Sequence, residues 1–92
     1  MRKIEQQMNE AIRSGNNWKS ANTEVVITDD TANVYLHGHH IATVCSAIDC
    51  TLPNRQTFRE WPTATTRSRL RALGVNASIR EGHAYIDGIM IV

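Results

Sequence analysis

Apolar residues near the start of the chain recur with the spacing of one helix face. The stripe follows the i, i+4, i+7, i+8 pattern and consists of Ile4, Met8, Ala11 and Ile12. A stripe of this width predicts an amphipathic helix over residues 2–14. Gly15 follows at once, and glycine ends many helices because it adopts the left-handed backbone conformation without steric cost.

The next segments have the alternation and composition of β-strands. Residues 23–28, TEVVIT, are rich in β-branched side chains, which favour strands. Residues 32–44, ANVYLHGHHIATV, predict two strands that reverse at His37-Gly38. The resulting pairs are Leu36 with His39, Tyr35 with His40, and Val34 with Ile41. A turn centred on Gly38-His39 would shift these pairs by one residue, and the sequence leaves that alternative open.

The second half of the chain repeats this order of elements. A narrower apolar stripe that contains Leu70 and Leu73 predicts a helix over residues 63–73, again followed by a glycine. Residues 77–80 predict a strand, and residues 83–92, HAYIDGIMIV, predict a hairpin that turns at an Asp-Gly pair. The segment VYLHGxxIA of the first hairpin matches AYIDGxxIV of the second position for position. This match indicates an internal repeat.

The repeat predicts one domain of the α+β class, built from two α-βββ units. The units cover residues 1–44 and 63–92, and residues 45–62 form a crossover in which Phe58 and Trp61 must pack against the rest of the domain. We expect antiparallel sheets of about six short strands, with the two helices packed on one face. The opposite face would then present Tyr35, His40, Tyr85 and Met90 to solvent or to a partner.

Length and charge restrict the classes of function. A chain of 92 residues has a thin core, and pairing with a second copy would be one way to bury more surface. The sequence has no apolar run of about 18 residues, so a membrane span is not expected. Its polar N-terminal segment is unlike a signal peptide, which predicts a cytoplasmic protein. A net charge of +1 argues against a mimic of DNA and against a general polycation.

No stretch of the sequence carries a catalytic motif. There is no nucleophile elbow, no glycine-rich phosphate loop and no enclosed pair of carboxylates, so we expect a protein that is not an enzyme and uses no cofactor. Four side chains have the chemistry of zinc ligands, but their spacing fits no finger or ribbon: His37, His39, Cys45 and Cys50. A small zinc-binding module is therefore a minor alternative, and free thiols are the expected state of two cysteines in a reducing cytosol.

Arginines concentrate in the second half of the chain. Six of them fall close together against a single acid, Glu60: Arg55, Arg59, Arg67, Arg69, Arg71 and Arg80. Arginine suits bidentate contacts to phosphates and carboxylates. The predicted partner-binding residues are these arginines and the hairpin-tip histidines His37, His39 and His40. The same arginines would support weak, shape-directed binding of nucleic acid, and a merely solvated helix face is the plainer interpretation.

Three segments together carry a resemblance to known proteins. KIEQQMNEAI, VYLHGHHIA and TTRSRLRALGV resemble segments of small early-type proteins of tailed phages, particularly short-tailed phages of enterobacteria. The resemblance implies a protein that binds a host protein, either to disable a defence or to redirect a process. It carries over no catalytic residue. We therefore expect a non-enzymatic phage protein that binds and inhibits or modulates a host or anti-phage defence protein in the host cytoplasm.

Overall fold

The computed structural model describes residues 1–45 and 49–92, which form three helices and eight strands. The helices are α1 (Lys3–Ser14), α2 (Arg55–Glu60) and α3 (Ala64–Ala72). The strands are β1 (Trp18–Ser20), β2 (Thr23–Thr28), β3 (Thr31–Leu36), β4 (His39–Cys45), β5 (Cys50–Pro53), β6 (Ala77–Arg80), β7 (His83–Ile86) and β8 (Ile89–Met90). The predicted α+β class is confirmed.

The strands form two antiparallel sheets. The larger sheet has the order β1-β2-β3-β4-β5, and the smaller has the order β6-β7-β8. Three elements were not predicted, namely β1, β5 and α2. Trp18 begins β1, pairs with Val25 and packs against the core. The predicted crossover over residues 45–62 contains β5 and α2, and its residues 46–48 lie outside the described part of the chain.

One hydrophobic cluster connects the helices to both sheets. Its fully buried members include Met8 of α1, Val34 of β3, Phe58 of α2 and Leu70 of α3. Ala84 and Ile86 of the smaller sheet belong to the same cluster. Burial of such side chains is the main favourable term in folding, so the two sheets depend on a shared core.

The first hairpin contains an irregularity that the sequence did not predict. Leu36 pairs with His39 and Tyr35 pairs with His40, as predicted, but the register then shifts and Val34 pairs with Ala42 rather than with Ile41. The predicted Val34–Ile41 pair is therefore wrong. The bulge lets two consecutive residues, Ile41 and Ala42, both reach the core, where each is almost fully buried. A regular strand would turn one of them outward.

The two hairpins have the same turn geometry. His37 and Gly38 have φ values of 52° and 78°, and Asp87 and Gly88 have φ values of 55° and 79°, as type I′ turns require. The amide of His37 donates to the carbonyl of Asn22 at 2.8 Å, and the amide of Asp87 donates to the carbonyl of Asn76 at 2.9 Å. Asn22 directly precedes β2, and Asn76 directly precedes β6. The two hairpin turns are therefore held by equivalent backbone hydrogen bonds.

The face of the larger sheet that points away from the core is mostly polar. Cross-strand pairing aligns Glu24, Tyr35 and His40 in one row across three strands, and Asn33, Thr43 and Leu52 in another. A further row at the end of the sheet contains Thr31, Cys45 and Cys50. These side chains are half-buried or exposed, as expected for the solvated face of an antiparallel sheet.

Candidate partner-binding groove

A groove of about 310 Å³ lies between the tip of the first hairpin and the segment that joins α2 to α3. Its hairpin wall is formed by Leu36, His37, His39 and Ile41, and its helical wall by Thr57, Trp61 and the threonines at the start of α3. Most of its accessible lining is apolar. Pockets of this kind accept an apolar group and fix its orientation with a few polar side chains.

An aromatic stack forms one side of the groove. The rings of His39 and Trp61 have centroids 5.2 Å apart and an interplanar angle of 28°. Trp61 is nevertheless 49% exposed. A stacked but half-exposed tryptophan is a large, rigid apolar surface that loses little conformational entropy when a partner covers it.

Local sequence fixes the position of Trp61. Trp61 ends α2 and its amide donates to the carbonyl of Thr57 at 2.8 Å. Pro62 follows, and a proline disfavours the helical conformation in the residue before it. Thr63 then caps α3, because its hydroxyl accepts the amide of Thr66 at 3.1 Å. The connection between the two helices is therefore short and held at both ends.

The three hairpin histidines do not form one cluster. His37 and His39 line the groove, whereas His40 lies on the polar face of the larger sheet. The amide nitrogen of Asn54 lies 3.0 Å from Nδ1 of His40, and the other ring nitrogen lies 2.9 Å from the hydroxyl of Thr43. Both nitrogens of His40 are therefore occupied within the protein, which gives this residue a structural role.

Arg69 does not belong to an exposed arginine surface, contrary to the prediction. It is 3% exposed, and its guanidinium forms an ion pair of 2.7 Å with the carboxylate of Glu5. Its Nε also donates to the hydroxyl of Thr23 at 3.0 Å. Ser68 donates a further hydrogen bond of 2.6 Å to Glu5. The helix therefore directs Arg69 inward, between α1 and the larger sheet.

The environment of Glu5 changes its proton affinity. Burial by itself would raise the pKa of Glu5. Hydrogen bonds from Ser68 and Arg69, together with the positive charge of Arg69, outweigh that effect and hold the pKa below its ordinary value of 4.5. The carboxylate is thus charged at neutral pH and balances the buried guanidinium.

The other predicted arginines are distributed over several surfaces. Arg55 and Arg59 are exposed on α2, Arg67 is half-buried on α3, and Arg71 donates to the carbonyl of Ala77 at 2.7 Å. The guanidinium of Arg80 lies 5.3 Å above the ring of Tyr85. Neither of the two ion pairs in the described residues involves any of these five arginines.

The structure does not bring together the four side chains of the alternative zinc-binding interpretation. His39 begins β4 and Cys45 ends it, so the two residues are six positions apart along the strand, which corresponds to roughly 20 Å. Within residues 1–45 and 49–92, no group of three or more His, Cys, Asp or Glu side chains could hold a metal ion. The same residues contain no helix that is both long and apolar enough to span a membrane.

A family model described as Kyanoviridae Gp96 protein matches residues 1–88. No curated protein and no solved structure matches the chain. The match is to proteins of cyanophages, so the predicted phage origin is confirmed, whereas the predicted kinship with short-tailed phages of enterobacteria is not.

Proposed function

The chain belongs to the Kyanoviridae Gp96 protein family, a family of phage proteins, and from that premise we propose that it is a non-enzymatic binding protein. Its partner is a protein of the infected host or of an anti-phage defence system, which it inhibits or modulates in the host cytoplasm. The groove at the hairpin tip is the primary contact site.

The half-exposed stack of Trp61 on His39 carries this proposal. Residues that dominate protein–protein affinity are enriched in tryptophan, and they cluster around pockets from which water is excluded. The groove provides such a pocket beside the tryptophan. By contrast, Leu52 is similarly exposed, at 54%, but lies on the polar face of the larger sheet and does not line the groove.

The polar groups of the groove favour an acidic partner segment with a bulky apolar side chain. The apolar group would enter the groove, and the imidazoles of His37 and His39, which line it, would donate hydrogen bonds to the acidic residues around it. No aspartate or glutamate is among the residues that line the groove. Complementary charge raises the rate of association and helps to select the partner.

A pair of matched variants tests the proposal. Tagged wild-type protein, Trp61→Ala and Leu52→Ala are used to capture partners from host lysate, and the captured protein is then purified and titrated against each variant. We expect Trp61→Ala to weaken binding by about thirtyfold, which corresponds to a hot-spot residue, and Leu52→Ala to leave it unchanged. Equal affinities for all three proteins would place the contact elsewhere.

The unpaired arginines favour binding of nucleic acid as a second candidate function. Arg67 and Arg71 lie four residues apart on α3, and neither has an acidic partner in the described residues. Binding that disappears after nuclease treatment, falls steeply with salt and is lost in the Arg67→Glu, Arg71→Glu double variant would support this candidate. In that case Trp61→Ala would have little effect on binding, which distinguishes the two functions.

A further inference from the structure

The two cysteines face each other across the last hairpin of the larger sheet. Cys45 ends β4, Cys50 begins β5, and the two residues are direct cross-strand partners. Their neighbours Val44 and Thr51 also pair with each other. Val44 packs against the core and the hydroxyl of Thr51 donates to the carbonyl of Leu73 at 3.1 Å. Because side chains alternate along a strand, both cysteines point to the opposite, polar face.

The ladder geometry sets the distance between them. The amide of Asn54 donates to the carbonyl of Ile41 at 2.7 Å, and this pair lies four residues along the same register from Cys45 and Cys50. Hydrogen-bonded pairs recur at every second position of an antiparallel ladder, with Cα atoms about 5.5 Å apart. Disulfides most often have Cα separations of about 5.5–6 Å. Both thiols are free and half-buried.

We propose that Cys45 and Cys50 form a reversible dithiol–disulfide pair that exchanges with low-molecular-weight disulfides. One thiolate attacks a disulfide R–S–S–R, forms a mixed disulfide with the protein and releases one thiolate RS⁻. The second cysteine attacks the protein sulfur of that mixed disulfide, closes the Cys45–Cys50 bond and releases the second RS⁻. The two thiol protons end on the two RSH products, so the protein loses two hydrogens and one R–S–S–R is reduced.

The geometry favours a bond that is readily reduced again. Directly opposite residues have Cβ atoms about 4.5–5.5 Å apart, whereas a relaxed disulfide brings them to about 3.8 Å. Closing the bond therefore draws the two strands together, and a strained disulfide is more easily reduced by thiols than a relaxed one. The pair responds to the balance of disulfides and thiols around it rather than acting as a permanent cross-link.

Intact-mass spectrometry tests the proposal directly. The reduced protein is incubated under native conditions with mixtures of oxidised and reduced glutathione, quenched with acid and weighed. We expect the wild-type chain to become lighter by two hydrogens, and Cys45→Ser and Cys50→Ser to accumulate one glutathione adduct each. Stable glutathione adducts on the wild-type protein, or disulfides only between two copies, would overturn the proposal.

A second variant keeps two thiols but changes their register, and it therefore tests whether strand pairing is what allows the internal disulfide to form. Cys50→Ser combined with Thr51→Cys moves one thiol to the core side of β5, out of line with Cys45. We expect loss of the internal disulfide and glutathione adducts in its place, with circular dichroism to establish that the variant is folded. An internal disulfide formed as readily as in wild type would show that chain flexibility, not strand pairing, brings the thiols together, and would refute the inference.

Discussion

Arg69 was predicted to lie on an exposed arginine surface, but it is buried in an ion pair with Glu5. The sequence shows six nearby arginines but not which of them has a partner, because Glu5 is distant along the chain. The signal that was available is positional. Glu5 follows Ile4 and Arg69 precedes Leu70, so each adjoins the apolar stripe of its helix. A charged side chain next to the apolar stripe of a helix can point into the core where it forms an ion pair with a side chain of opposite charge.

Removing Arg69 should destabilise the protein strongly. Breaking one side of a buried ion pair leaves an uncompensated buried charge, and such changes cost about 3–5 kcal/mol. We therefore expect Arg69→Ala to lower the free energy of unfolding by about that amount, measured by denaturant titration. Arg67→Ala, on the same helix but without an ion pair, should change it by no more than about 0.5 kcal/mol. Equal effects would contradict the buried role of Arg69.

Glu5 should make the stability depend on pH in the acid range. Its pKa in the folded protein lies below the ordinary value of 4.5, so the folded state loses the proton more readily than the unfolded state. The stabilising contribution is complete above that ordinary value and disappears as the pH falls through the folded pKa.

Denaturant midpoints measured across the acid range should therefore fall less steeply for Glu5→Gln than for wild type. Glu10 is a suitable control, because its lowered pKa arises from hydrogen bonds with Arg13 and Ser14 at an exposed position. Glu10→Gln should retain most of the acid dependence. Parallel curves of denaturant midpoint against pH for wild type and Glu5→Gln would show that the buried carboxylate is not the source of the acid dependence.

Among the elements, those with a helical period, a β-branched run or a hairpin turn signal could be predicted from the sequence, whereas β1, β5 and α2 could not. The observed helix α1 begins one residue after its predicted start, and β2 and β6 have their predicted bounds. Strand β1 has three residues, too few to show a period, and it exists because β2 offers an edge to pair with. Strand β5 ends in Pro53, which cannot donate to a ladder and is tolerated at a sheet edge.

Asn54 lies between β5 and α2, two elements that the sequence did not predict. Its side-chain oxygen accepts the amide of Thr57 at 3.1 Å and so caps α2, which leaves its amide nitrogen directed at Nδ1 of His40. The orientation of the asparagine side chain therefore defines that of the imidazole. From there the hydrogen bonds continue through Thr43 to Asn33.

Replacing Asn54 should weaken α2 and the sheet together. Loss of the cap costs about 0.5–2 kcal/mol, and the unpaired His40 nitrogen adds to it, so we expect Asn54→Ala to cost about 1–3 kcal/mol. Asn76→Ala provides the control, because Asn76 is exposed and acts through its backbone carbonyl. Thermal melts followed by circular dichroism measure both. A smaller loss for Asn54→Ala than for Asn76→Ala would refute the role of this side chain.

At the scale of the whole molecule, the likeness of the two hairpin turns was predictable and the difference between the elements around them was not. The turns at Gly38 and Gly88 agree in geometry, and a short run of sequence is enough to predict them. The first unit has additional strands on both sides and a bulge that the second lacks. These differences arise from pairing and burial between distant parts of the chain, which a local pattern does not contain. Likewise, the aromatic side chains of Phe58 and Trp61 indicated that the crossover packs against the domain, but they did not indicate the groove.

The walls of the groove come from two separate parts of the chain, one from the first hairpin and one from the α2–α3 connection. A molecule bound there would contact both walls and so link two regions of the chain that no covalent bond joins directly. Since anything that binds the native state alone displaces the unfolding equilibrium, occupancy should register as added heat resistance of the entire fold. A melting curve could therefore serve as a binding assay before the target is identified.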